Sequence, residues 1–257
     1  MRVCVRVVGL AQRLPLRILE DVRQCTYLVT DKIRRTFKLL YAVSQAMPVV
    51  TQEWITETLQ AGRVLRTRLH GELPGRSHAA NPVRPEPVCG WGRAAIEPYH
   101  LKDRETEKTY DFTLAHSMEL ARQRRVLAGW SVYAVDVASL GTIKADDYLE
   151  LVAANGGTVR VMRGNDCGAA PTDGNAVHKT HGRLAGQILH TEAEVRAALS
   201  DRAERVLIIG AEGSREALRR LLEGRPGTRV YTYDFLLSTF LSQELPLNNP
   251  AIQVAWQ

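Results

Sequence analysis

Tyr27-Leu28-Val29-Thr30-Asp31-Lys32-Ile33-Arg34-Arg35-Thr36-Phe37-Lys38, followed a helix-length later by Pro48-Val49-Val50-Thr51-Gln52-Glu53-Trp54, decides how this chain reads. Residues 26–30 are apolar or β-branched and predict a strand. Beyond Asp31, apolar residues at 37, 40, 41 and 43 fall at helical spacing. RRTFKLLYAVSQ (34–45) therefore predicts a helix with Arg34, Arg35 and Lys38 in its first turns. PVVT (48–51) predicts a further strand. Thr51 suits the N-cap of a helix over QEWITETLQA (52–61), and Gly62 stands just past its end. Upstream, VCVRVV (3–8) predicts a strand stopped at Gly9, and PLRILEDVR (15–23) a short helix with Pro15 in its first turn.

Residues 66–98 hold five of the 11 prolines and four glycines, which fits an exposed insertion or linker rather than a helix or central strand. Regular structure resumes with a helix over 113–125, a strand over 130–137 and a helix over 144–154 ended by Asn155-Gly156-Gly157. A strand over 158–162 precedes a long Gly-rich loop (163–190). A helix (191–200), strand (205–209), helix (214–223), strand (228–232) and helix (233–243) complete the pattern. VVTQEWITETL (49–59) aligns with VYTYDFLLSTF (230–240) at a constant offset of 181, matching Thr51 to Thr232, Glu53 to Asp234, Trp54 to Phe235 and Thr58 to Thr239. A repeat of this kind predicts two α/β units of one design, 1–65 and 130–257, joined by the insertion, linker and linker helix of 66–129. Trp54 and Phe235, on apolar helix faces, read as core aromatics.

The repeat unit, with the 27–38 block and the downstream Trp54, resembles the BRCT domain. Two in tandem resemble the BRCT pairs of the mediator of DNA damage checkpoint and PAX-interacting protein families, through a close variant of Val29-Thr30-Asp31-Lys32-Ile33-Arg34-Arg35-Thr36-Phe37-Lys38. The resemblance continues through Glu105–Trp130 and, in the second unit, rests on Gly156-Gly157 and Phe235-Leu236-Leu237. It implies two small, mostly parallel sheets flanked by helices and packed in tandem, with no enzymatic activity and no cofactor. It also implies recognition of a phosphoserine or phosphothreonine peptide by the first unit. Lys38 takes the family's phosphate-binding Lys and Gly9 its backbone N–H, while Thr36 is placed to add a hydroxyl. Arg35, with Arg34 beside it, corresponds to the Arg that meets the third residue beyond the phosphoresidue. The chemistry agrees, because a phosphate near −2 is matched by a Lys point charge, a helix N-terminus and a free N–H. Val8 stands where the family has Ser or Thr and offers only its backbone. The absent hydrogen bond is worth roughly 1.5–3 kcal/mol, or about ten- to hundredfold in affinity. The stretch from Gly9 to the 26–30 strand is also several residues shorter than in the family.

Charge placement points the same way. Residues 1–70 hold 12 Lys/Arg against 5 Asp/Glu, net +7, while the rest holds 22 against 23, net −1. A basic front quarter predicts an anionic partner. The expected partner is a phosphorylated protein, a phosphorylated histone tail included, in a nuclear, chromatin-linked or DNA-damage-response setting. The competing reading is a BRCT pair without phosphopeptide binding, its basic N-terminal face holding DNA or serving as a scaffold in a repair complex or kinetochore. Other classes lack their signatures. No apolar run approaches the roughly 18 residues of a membrane span, and Arg2 and Arg6 interrupt any signal-peptide core. Cys4, Cys25, Cys89 and Cys167 form no CxxC, which fits a reducing compartment and no zinc ribbon. Gly210-Ala211-Glu212-Gly213-Ser214 lacks the Lys of a phosphate-cradling loop. Cys167, Asp173, His178 and His181 lack the spacing of a metal site. Asp146-Asp147 opens a helix, where its charge favours the dipole.

Overall fold

The computed structural model describes residues 2–7, 16–62, 64–65, 97–135, 143–162, 187–189, 205–210 and 230–247. In chain order its elements are β1 (Arg2–Val7), β2 (Leu16–Leu19), β3 (Tyr27–Thr30), α1 (Phe37–Ser44), β4 (Val49–Val50), α2 (Gln52–Gln60), α3 (Arg104–Thr109), α4 (Leu114–Gln123), β5 (Trp130–Val135), α5 (Ala145–Ala154), β6 (Thr158–Met162), β7 (Gln187–Leu189), β8 (Arg205–Ile209), β9 (Val230–Tyr231) and α6 (Tyr233–Ser242). By proximity the chain forms two units. One comprises residues 1–33 and 48–103, the other residues 34–47 and 104–257. The expected helices over 191–200 and 214–223 lie outside the described residues.

The first unit holds a four-stranded sheet in the order β2-β1-β3-β4. β3 and β4 are parallel, with Leu28 opposite Val49 and Val29 opposite Val50. β1 runs antiparallel to both β2 and β3. This sheet is therefore mixed, a correction to the mostly parallel arrangement expected of it. The helix expected over 15–23 is also absent. Leu16–Leu19 is a strand pairing Cys4 with Leu19 through Val7 with Leu16, and only Val22–Gln24 forms a single 3₁₀ turn, its Asp21 cap accepting from the Arg23 N–H. Only residues 8–15 separate β1 from β2, too few for the dozen or more of a parallel crossover, so the chain returns antiparallel. Helix propensity over so short a stretch is a weak prior, and the ladder overrides it. Val5, Tyr27, Val29, Val50 and Trp54 form the core on one side of this sheet, with Leu16, Ile55, Val64, Leu65 and Tyr99 packed around them. Tyr27 stacks on Trp54 at 4.2 Å between ring centroids, and the Trp54 indole N–H donates to the Leu65 carbonyl. Residues 99–101, just past the Pro/Gly-rich stretch, line β4: Thr51 N donates to Tyr99 O, Leu101 N to Val49 O, and His100 bridges Val50.

The second unit holds a five-stranded sheet, β7-β6-β5-β8-β9, in which every pairing is parallel. Parallel strands are covered on both faces and read as continuous apolar runs, as Val206-Leu207-Ile208-Ile209 does. β7 is a correction, since 163–190 reads as loop. Its Gln187-Ile188-Leu189 is too short for periodicity to register, and pairing with Arg160–Met162 makes the strand. The 181-residue repeat is visible in both units. Trp54 and Phe235 are both fully buried, as are Thr58 and Thr239. Each aromatic also stacks on a strand tyrosine, Phe235 on Tyr231 at 4.3 Å and Trp54 on Tyr27, although the two tyrosines are not matched by the offset.

Within this unit α1 packs against α4, α5 and α6, and α4 against α6. Leu39, Leu40, Ala42, Val43 and Ser44 are the buried face of α1. Arg125, just past α4, ties the bundle together. Its guanidinium donates to the carbonyls of Ser44 and Ala154, the latter at 3.2 Å, and to Gln45 Oε1 at 3.2 Å. These carbonyls end α1 and α5, so one cation satisfies acceptors that two helix C-termini leave open and complements both dipoles. Gly156 turns the chain out of α5 at φ +85°, and a Cβ there would approach the Arg125 Cβ to 2.8 Å. Both the conformation and the close approach require glycine.

Candidate functional site

The candidate site is the start of α1. Thr36 is its N-cap, extended at φ −108° and ψ 155°, so Arg34 and Arg35 precede the helix rather than lying in its first turn. A tight turn holds them there. Thr36 N donates to Arg34 O at 2.6 Å before Leu40 N donates to Thr36 O in the first helical bond. The Thr36 hydroxyl points back to Arg34 O at 3.5 Å and makes no cap bond to the helix. No acidic residue stands in the first turn. Three cations thus gather at the positive end of a helix dipole whose cap side chain faces away. Helices ordinarily place carboxylates there. A helix start without a carboxylate is the kind of place where an anion is favoured.

The three cations differ. Arg34 is exposed. Lys38, the second helical residue, is half-buried and forms no ion pair among the described residues. Arg35 is engaged: it donates to the Asp234 carboxylate in the first turn of α6, and its guanidinium lies over the Tyr110 ring at 4.6 Å. Sequence reasoning missed both partners. Asp234 carried a signal as the acidic match of Glu53 in the repeat; Tyr110 carried none, because its link to Arg35 spans 75 positions and exists only in the fold. Val8 and Gly9 lie outside the described residues, as do Cys167, Asp173, His178, His181 and Ala211 to Ser214. Among the described residues no cluster of three His, Cys, Asp or Glu side chains could hold a metal, and no helix is long and apolar enough to cross a membrane. Asp146 and Asp147 open α5 at the positive end of its dipole.

Comparison with known proteins agrees with this architecture. A family model described as the Regulator of Ty1 transposition protein 107 BRCT domain matches residues 10–72. Mediator of DNA damage checkpoint protein 1 of Homo sapiens is 27% identical over 110 residues, 43% of this chain and 4% of that protein. Its counterpart in Rattus norvegicus is 27% identical over 113 residues, 44% of this chain and 7% of that protein. The matched region is thus a small part of these relatives. Among solved structures, the S. pombe Brc1 BRCT5-BRCT6 domains superpose with a TM-score of 0.58 at 20% identity, covering 90% of this chain and 84% of that one. The complex of Rtt107p with a phosphorylated histone gives 0.52 at 9% identity, covering 93% and 79%. The fold is that of two BRCT units in tandem, and the chain resembles the BRCT regions of DNA damage checkpoint proteins.

Proposed function

We propose that this chain is a phosphoserine- or phosphothreonine-peptide recognition module, acting without catalysis in a nuclear, chromatin-linked setting. The observation that carries the reading is the start of α1, where Lys38 forms no ion pair among the described residues, Arg34 is exposed, Thr36 makes no side-chain cap bond and no acidic residue stands in the first turn. A phosphate supplies the missing negative charge at the positive end of the dipole. The fold neighbour Rtt107p is solved with a phosphorylated histone, which supports a phosphorylated protein, a histone tail included, as the partner class. Lys38 is the principal phosphate contact, Thr36 an accessory donor, Gly9 a backbone donor by family resemblance, and Arg35 the reader of the third residue beyond the phosphate. Val8 supplies no hydroxyl, so Lys38 carries more of the binding than its family counterpart.

Titration of a phosphoserine peptide and its unphosphorylated control against three variants tests this. Lys38→Met keeps the stem and removes the charge; it is expected to abolish phosphate-dependent binding and leave the melting temperature unchanged. Arg35→Ala is expected to weaken binding and blur preference at the third residue. Val8→Thr is expected to restore a donor and tighten binding by roughly 1–2 kcal/mol. The net +7 of residues 1–70 favours one competing reading, duplex DNA held by the basic face. That reading prevails if wild type binds any duplex with a steep salt slope, Lys38→Met weakens duplex and phosphopeptide equally, and Val8→Thr changes nothing.

A further inference from the structure

β2 closes the first unit's sheet on one side, and β1 is its only strand partner among the described residues. The direction of its backbone groups follows from β1. Val5 O accepts from Thr26 N at 2.9 Å, so the Val5 backbone faces β3. Backbone groups alternate in direction along a strand, so those of Cys4 and Arg6 face β2. Register then makes Leu19, opposite Cys4, and Arg17, opposite Arg6, the residues bonded to β1. The N–H and C=O of Leu16 and Ile18 point out of the sheet's edge, and no described residue bonds to them. Ile18 stands opposite Val5 and shares its face of the sheet. Val5 is 1% exposed, in the core with Trp54, whereas Ile18 is 71% exposed, the most exposed large apolar side chain among the described residues. Leu16 packs at the rim of the same core. Arg17 is exposed and, by alternation, lies on the opposite face.

We propose that the outer edge of β2 is a docking site for an extended segment of a partner protein that carries an acidic residue between two apolar ones. Such a segment adds a strand to the sheet. Its main-chain hydrogen bonds supply affinity, and its alternate side chains supply selectivity. In an antiparallel pairing centred on Arg17, the segment's residues opposite Leu16 and Ile18 exchange backbone bonds with both, and their side chains lie on the Val5 face. Apolar residues there cover Ile18 and extend the core outward. The residue between them lies opposite Arg17, where an acid is favoured. Arg6 is next in the ladder, and residues 1–70 carry net +7. Charge also decides against a second copy of this chain. The antiparallel self-pairing that uses both Leu16 and Ile18 sets Arg17 against Arg17 of the other copy, and like charges directly opposite destabilise a ladder. An edge guarded by a charge against its own kind is open to the opposite charge.

A phage-displayed library of randomised short linear peptides, selected on the full chain, tests this. The enriched peptides are expected to share an acidic residue flanked by apolar ones. Ile18→Pro removes the exposed side chain and the outward N–H without removing a bond to β1, and it is expected to weaken their binding by roughly tenfold or more. Ile18→Thr keeps a good strand former at the position and should weaken binding as well. Lys38→Met should leave it unchanged, which separates this edge from the start of α1. Selection repeated on Arg17→Glu should enrich a basic residue in place of the acid. Amide hydrogen exchange reads the geometry: an enriched peptide should slow Leu16 and Ile18 far more than Arg17 and Leu19, which are already bonded. Enriched peptides that bind the Ile18 and Arg17 variants as tightly as wild type overturn the proposal, as does a selection that enriches none. Self-association of the chain that Ile18→Pro disperses would place a second copy on this edge and overturn it too.

Discussion

Tyr148 shows how one side chain converts burial into pH dependence. It lies in the core of the second unit, edge-on to Tyr233 at 5.6 Å and 6.3 Å from Phe240, and its hydroxyl has no hydrogen-bond partner among the described residues. Burial, with the neighbouring Tyr233 adding to it, pushes its pKa well above the ordinary tyrosine value. The folded state therefore keeps its proton while the unfolded chain ionises near pH 10. This contribution to stability is complete below about pH 10 and is lost as pH rises from there toward the folded pKa. Tyr148→Phe removes both the unsatisfied hydroxyl and the titration. We expect unchanged stability at neutral pH, or a gain of about 1 kcal/mol, and an alkaline decline shallower by up to about 1.4 kcal/mol per pH unit. Urea midpoints from neutral pH to about pH 11 check this, and parallel slopes for the two proteins would refute it. Lys38 makes the complementary case at the same scale. Nothing in the described fold requires its charge at a helix start, which is why its loss should register in binding and not in stability.

Helix termini do two kinds of work here. The N-terminus of α1 is cationic and lacks a side-chain cap, whereas its C-terminus is closed by Arg125, which also closes α5. Arg125→Ala leaves the carbonyls of Ser44 and Ala154 and the Gln45 amide oxygen short of a charged donor, and it is expected to destabilise the chain by about 2–3 kcal/mol. Arg125→Lys retains charge but not the planar fork that reaches separate acceptors, so it should recover only part of that loss. Chemical denaturation of the three proteins measures the difference; a lysine variant as stable as wild type would show that charge alone matters.

The whole molecule uses its sequence out of order. α1 lies between β3 and β4 in the chain, yet its buried face belongs with α4, α5 and α6. A fragment ending at residue 129 keeps α1 and loses α5 and α6. Burial of a core side chain contributes roughly 1.5–3 kcal/mol, and a whole domain has only about 5–15 kcal/mol to lose. We expect the 1–129 fragment to unfold at markedly lower urea than the full chain, or to aggregate through Leu39, Leu40 and Val43. A fragment with a sharp transition at the full chain's midpoint would show that α1 can be buried without α5 and α6.

By itself the sequence determined the α/β class, the tandem repeat, the core roles of Trp54 and Phe235, and the cationic block of Arg34, Arg35 and Lys38. Periodicity and caps are local signals written within a dozen residues, and the repeat shows as a constant offset between two such short segments. Tertiary structure decided what depends on distant partners. The 15–23 segment became a strand because β1 lay within reach of a short return. Gln187–Leu189 became a strand because β6 offered an edge. Thr36 ended the extended run, so the arginines sit before α1 and not in it. Above all, Arg35 stands in the fold against Asp234, 199 positions away. Spacing along a chain carries no record of such a pair, because the bond follows from how helices pack and not from the residues beside it.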